Sequence, residues 1–140
     1  MSIWQTTMTV PQLQSFMKNT LVEHLGIIIT EIGDDYIRAV MPVDQRTHQP
    51  MRILHGGASV VLAESLGSMA AQMAAKPGVA CVGLEVNANH LASIKTGTVV
   101  GTARPVHIGR STQVWDIRIN DETEKAVCIS RLTVSVLQPT

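Results

Sequence analysis

Aromatic residues are scarce in this 140-residue chain, which holds one phenylalanine, one tyrosine and two tryptophans. A base-stacking platform needs aromatic faces, and a nucleic-acid footprint needs an excess of positive charge. Lysine and arginine number 11 against 11 aspartates and glutamates, so neither requirement is met and no nucleic-acid partner is expected. Charge itself is sparse: 16% of residues carry it, against 45% that are hydrophobic. Soluble domains usually carry about 25% charged residues, so part of this surface is expected to be covered by other subunits.

Cysteine is limited to Cys81 and Cys128, each within an apolar run of strand character. Such a setting suits buried thiols better than a disulfide or a metal pair, and agrees with a reducing cytoplasm. The histidines, His24, His48, His55, His90 and His107, show no paired metal spacing, so no metal site is expected. Also missing are a phosphate loop ending in Gly-Lys-Ser/Thr, a dinucleotide fingerprint, and the final glycine that would make Gly57-Ala58-Ser59-Val60-Val61 a nucleophile elbow. The opening residues, Met1 to Thr6, lack a basic segment followed by an apolar core, so no secretory signal is expected. The length suits one domain spanning 1–140.

What the chain does have is an apolar, small-residue run from Leu54 to Ala71 that carries a single carboxylate, Glu64. No proline interrupts Gly57 to Ala75, and alanine, leucine and methionine favour helix, so a long helix is predicted over about 57–75. Apolar residues on every side place it inside the protein, and Glu64, Ser59, Ser65, Ser68 and Gln72 argue against a membrane span. Helical spacing sets Gly57, Val60 or Val61, Glu64 and Ser68 along one stripe.

Before it, Thr9-Val10-Pro11-Gln12 carries the marks of a capped helix start, predicting a short N-terminal helix to about Leu21 with Leu13, Phe16, Met17 and Leu21 as its buried stripe. Leu25–Glu31 and Tyr36–Pro42 are strand-like runs joined through Gly33-Asp34-Asp35. Val43–Leu54 is a polar loop, long for so small a domain. After Lys76-Pro77-Gly78 stops the helix, a period-two pattern covers Ala80–Leu91, Thr98–His107, Thr112–Asn120 and Ala126–Leu137, predicting four meandering strands. The fold class expected is α+β: an antiparallel sheet of about six strands with one long helix on its concave face.

Burial without a cation would fit Glu64 to act as general base or nucleophile, unless it is a structural carboxylate paired with an arginine or set at an interface. His55-Gly56-Gly57 offers unpaired backbone N–H groups at the positive end of the helix dipole, able to polarise a carbonyl oxygen; close packing at a tight helix entry accounts for the same glycines. His55 is better suited to a structural hydrogen bond than to the role of base. Gln49 can bond a substrate or its own loop, and Ser68 can hold a water or simply pack.

These runs, taken in order, resemble a known family. Met41-Pro42-Val43-Asp44, Arg46-Thr47, Gln49-Pro50, Leu54 to Ser59, Glu64 to Ser68, Gly83 to His90, Gln113-Val114-Trp115 and Ser130 to Thr133 are similar to the motifs of hotdog-fold acyl-CoA thioesterases. The likeness is to the branch of the 1,4-dihydroxy-2-naphthoyl-CoA, enterobactin proofreading and Arthrobacter-type 4-hydroxybenzoyl-CoA enzymes. The resemblance implies a sheet wrapped around the central helix, dimers paired into tetramers, and active sites shared between subunits. It implies Glu64 as nucleophile or general base, the Gly56 N–H as oxyanion donor, Gln49 and His55 ordering that donor site, and Ser68 positioning water or the carboxylate. His90 and Arg110-Ser111-Thr112 become candidates for binding coenzyme A, although Arg110 equally suits a solvated turn. Coenzyme A enters as part of the substrate, and no other cofactor is expected. Relatives often continue Gln-Pro with Phe-Gly where this chain has Met51-Arg52, so the acyl group stays open between aromatic and medium-chain. An acyl-carrier-protein thioester, or acyl-CoA binding without turnover, are the alternatives; a dehydratase ranks last, because no suitable histidine motif heads the helix.

Overall fold

The alternation of apolar and polar residues in the second half of the chain builds the sheet. In the computed structural model, which describes residues 1–139, β4 (Thr98–Ile108), β5 (Thr112–Asn120) and β6 (Ala126–Leu137) form a continuous antiparallel meander. Along β5, Gln113, Trp115, Ile117 and Ile119 are buried while the residues between them are not, the signature of a sheet with one covered face. β1 (Ile28–Ile32) and β2 (Ile37–Pro42) make the expected hairpin, closed by the Gly33 N–H donating to the Tyr36 carbonyl at 2.8 Å.

The covering element is α3, Gly56–Ala74, within a residue of its predicted bounds. Leu62, Ala63, Leu66, Ala70 and Ala71 are fully buried, and the helix packs on β2 through β6. Two glycines set how closely it approaches: a Cβ on Gly67 would lie 2.6 Å from Leu132 Cδ2, and one on Gly101 2.8 Å from Leu66 Cδ1. The stripe Gly57, Val60, Glu64, Ser68 and Gln72 is half-buried or exposed, while Val61 at its edge packs against the core. A helix expected to be enclosed on all sides is thus covered on one.

The predicted four-strand meander needs correction. β3 (Ala80–His90) does not neighbour β4 but pairs antiparallel with β6, giving the order β1-β2-β4-β5-β6-β3. The reason is that β4 is hydrogen-bonded on its two sides by β2 and β5, which leaves β3 the open edge of β6. The link 91–97 then carries the chain back, pinned by the Leu91 N–H to Val127 and by the Leu54 N–H to the Ile94 carbonyl. As an edge strand β3 leaves one side unpaired, and although α3 packs against it, Val82 is 46% and Leu84 64% exposed.

At the N-terminus the capping box forms as predicted: the Thr9 hydroxyl accepts from the Gln12 N–H and the Gln12 side chain accepts from the Thr9 N–H. The helix it starts is shorter than expected. α1 ends at Ser15, and a separate turn of helix, α2, covers Leu21–His24. Asn19 at φ 61° breaks the helix between them, and the break leaves Phe16 and Leu21 exposed where burial was expected. Ahead of α1 an N-terminal strap crosses the far end of α3. The Gln5 and Thr6 N–H groups both donate to the Met73 carbonyl, satisfying an acceptor that the helix end leaves unpaired. Trp4 stacks on the buried Trp115 with ring centroids 6.2 Å apart. Among the described residues no helix is long and apolar enough to cross a membrane.

Candidate active site

The start of α3 is held by the loop that precedes it. Asp44 grips the Arg46 guanidinium through two oxygens at 3.1 and 2.7 Å and accepts the Arg46 N–H, which lowers its carboxyl pKa from 3.8 to about 2. Thr47, 2% exposed, donates its hydroxyl to the Pro42 carbonyl at 2.7 Å and accepts the His55 N–H on its own carbonyl at 2.8 Å. His48 is fixed to the Lys95 carbonyl at 2.8 Å. Gln49, a candidate for the donor site, turns its side-chain oxygen back to the Met51 N–H. Its amide NH₂ is left to point elsewhere. Arg52 closes the loop at φ 64°.

His55 is the N-cap of α3. Its Nδ1 accepts the Gly57 N–H at 2.7 Å. A ring nitrogen that accepts carries no proton, so the neutral imidazole presents a donor at Nε2. The next two N–H groups, of Ala58 and Ser59, both go to the His55 carbonyl. Among the described residues the Gly56 N–H alone at this helix start has no partner. It is the donor with the dipole behind it and nothing in front.

The structure brings Gly56 and His90 together. A Cβ on Gly56 would fall 2.8 Å from His90 Nε2, so the imidazole from the end of β3 lies against the bare backbone. Both border a cleft of ≈ 360 Å³ with Ile53, Leu54, Ser59 and Val127. Ser59, 1% exposed, and Val127 are lining residues that sequence reasoning missed, since nothing in an apolar helical run marks one face as a wall.

Glu64 is half-buried, where full burial was expected, because the face of α3 that carries it is the one the sheet does not cover. None of the ion pairs among the described residues includes it, so it has no arginine partner within the chain. Its carboxylate lies over Gly83 on β3: a Cβ there would meet Oε2 at 2.7 Å. Gly83 is a site residue with a legible signal, since a glycine inside a strand marks close approach. Ser68 stands one turn further along, half-buried on the same stripe. Eight residues separate Gly56 from Glu64, or about 12 Å along the helix axis at 1.5 Å per residue. One chain therefore holds the donor and the carboxylate apart.

Arg110, Ser111 and Thr112 are not gathered with these residues. They form the β4–β5 turn, closed by the Gly109 N–H to the Thr112 carbonyl at 2.9 Å, beside the far end of α3. There Arg110 shares a cleft of ≈ 300 Å³ with Lys76, Ile108, Val136 and Gln138. Neither cysteine lines either cleft. Cys128 is buried and Cys81 half-buried, and burial raises both thiol pKa values.

An antiparallel sheet of six strands wrapped around one long helix is the hotdog fold. Comparison agrees. Residues 51–128 match the thioesterase superfamily. The proofreading thioesterase EntH of Cronobacter sakazakii is 47% identical over 135 residues, covering 96% of this chain and 98% of that protein. A thioesterase of Haemophilus influenzae superposes with a TM-score of 0.95 at 47% identity, covering 97% of this chain and 95% of the other. A thioesterase of Pseudomonas aeruginosa, crystallised as a Gln-to-Ala variant, gives 0.95 at 50%, covering 97% and 99%. The chain belongs to the thioesterase superfamily and is a thioester hydrolase of the hotdog fold.

Proposed function

We propose that the substrate is an acyl-CoA with an aromatic or medium-chain acyl group, released as the carboxylic acid and free coenzyme A. The observation that carries this reading is the unpartnered Gly56 N–H at the positive end of α3, opening on the His90 cleft. In a thioester the carbonyl oxygen gains negative charge as the carbon becomes tetrahedral, and a donor fixed where that charge develops lowers the barrier. His55 Nε2–H adds a second donor, and the free amide of Gln49 a third. The Glu64 carboxylate either attacks the carbonyl carbon, expelling the coenzyme A thiolate and leaving an anhydride that water opens, or takes the proton of an attacking water. Ser68 positions that water. His90 contacts the pantetheine end, and Arg110, Ser111 and Thr112 hold phosphate groups.

The separation of about 12 Å between Gly56 and Glu64 supports a site that takes its donor from one subunit and its carboxylate from another. β3 supplies the means. An open edge of this length pairs readily with a second copy, joining two sheets and setting two α3 helices side by side. Dimers then pair into tetramers.

The test is a panel of acyl-CoA and acyl-carrier-protein thioesters, followed by free-thiol release. The named relative's proofreading role is the reason to include both carriers. Activity on acyl-CoA that disappears in a folded Glu64→Ala protein is the expected result. Wild-type rates in that variant would remove Glu64 from the mechanism. Tight coenzyme A binding with no thiol release from any substrate would make the chain a binding module instead.

A further inference from the structure

The geometry points to Gly83 as the residue that positions the Glu64 carboxylate, an inference that rests on the reading of Glu64 as the carboxylate of the reaction. Glu64 projects from a half-covered helix face with no ion pair to fix it, so something else must define where its oxygens sit. The structure offers one surface for that. At Gly83 the backbone of β3 is bare, and Oε2 occupies the space that a side chain would fill, 2.7 Å from where a Cβ would stand. That is well inside van der Waals contact. The register of β3 against β6 shifts between Gly83 and Glu85, so a bulge beginning at this glycine sets the strand's height beneath the carboxylate.

The other atoms near that point settle what a substitution would do. The next neighbour outside Glu64 is Leu132 Cδ1 at 3.6 Å, an ordinary contact. A methyl group at position 83 therefore rests on Leu132 of the core at an ordinary distance and crowds only the movable end of Glu64. The fold accommodates it by displacing the carboxylate. A glycine kept for backbone conformation would behave otherwise, but Gly83 is not among the residues at positive φ. Its absent side chain is what matters.

The experiment compares Gly83→Ala, Glu64→Ala and the double variant by thermal melting, by size in solution and by steady-state kinetics on the best acyl-CoA found. Gly83→Ala is expected to fold and melt at or above the wild-type temperature, because alanine restricts the unfolded chain more than glycine does. Its kcat is expected to fall at least tenfold with KM within about twofold, since a carboxylate displaced by a fraction of an ångström weakens the chemical step more than binding. In the Glu64→Ala background, where activity is lost, the comparison is by melting: alanine at 83 should raise the melting temperature more there than in the wild type, because the group it displaces is gone. Four outcomes overturn the inference: full activity in Gly83→Ala while Glu64→Ala is inactive; a melting shift from Gly83→Ala no larger in the Glu64→Ala background than in the wild type; a changed oligomer size in Gly83→Ala; or failure of Gly83→Ala to fold. Full activity in Glu64→Ala is a different result, which removes the underlying reading and not the contact.

Discussion

Arg52 is the residue at which this chain departs from the Phe-Gly of its relatives, and it keeps the backbone that glycine favours, at φ 64°. The left-handed basin costs a non-glycine residue about 1–2 kcal/mol, and glycine's extra freedom in the unfolded chain takes back about 0.5–1 kcal/mol. Arg52→Gly should therefore stabilise the protein by on the order of 0.5–1 kcal/mol, measured by urea unfolding, and leave the loop in place. The departure from the family pattern was visible in the sequence; the left-handed backbone at Arg52 was not, because φ is set by the closed turn between Gln49 and Ile53. Gly56 offers a sharper experiment. It is the first residue of α3, where proline is tolerated, and His55 ahead of it has the extended conformation that proline demands (φ −68°, ψ 129°). Gly56→Pro deletes the unpaired N–H, and its Cβ displaces the end of the His90 ring. Helical circular dichroism should persist while kcat drops by about 10²–10³, the usual cost of one oxyanion donor.

Among the elements, the loop between β2 and α3 couples acid titration to the site. Asp44, with its pKa lowered to about 2 by the Arg46 side chain and N–H, contributes stability that is present above the ordinary aspartate value of 3.8 and is lost as pH falls through 2. Asp44→Asn should melt below the wild type at neutral pH, and the gap should close as pH approaches 2 in a melting series. Elements were legible where period and punctuation agreed: α3 between His55 and Lys76-Pro77-Gly78, and the β1–β2 turn at Gly33. They were misjudged where neighbours decided. The apolar alternation of Ala80 to Leu91 looks the same whether its partner is β4 or β6, since local pattern reports a covered face but not which strand supplies the hydrogen bonds. The N-terminal helix failed for a local reason, at Asn19, whose short polar side chain tolerates the left-handed turn that ended it.

At the scale of the whole molecule, the proposal that the donor and the carboxylate come from different subunits can be tested without a structure of the assembly. Glu64→Ala and Gly56→Pro should each be inactive alone, while the two co-expressed should regain activity. With random pairing in a two-fold dimer half the dimers are mixed and each keeps one intact site, so about a quarter of the wild-type rate is expected. No recovery, with mixed dimers demonstrated by mass, would put both groups back in one chain. Sharing was implied by the family resemblance, and the eight helical residues between Gly56 and Glu64, about 12 Å along the axis, agree with it. The strap has its own consequence for how this protein can be watched. Both tryptophans of the chain sit in the single Trp4–Trp115 stack, beside Gln113, which donates to the Ala71 carbonyl near the end of α3. Intrinsic fluorescence therefore follows the docking of the first few residues on the far end of the helix, beside the Arg110 cleft and remote from the cleft at Gly56.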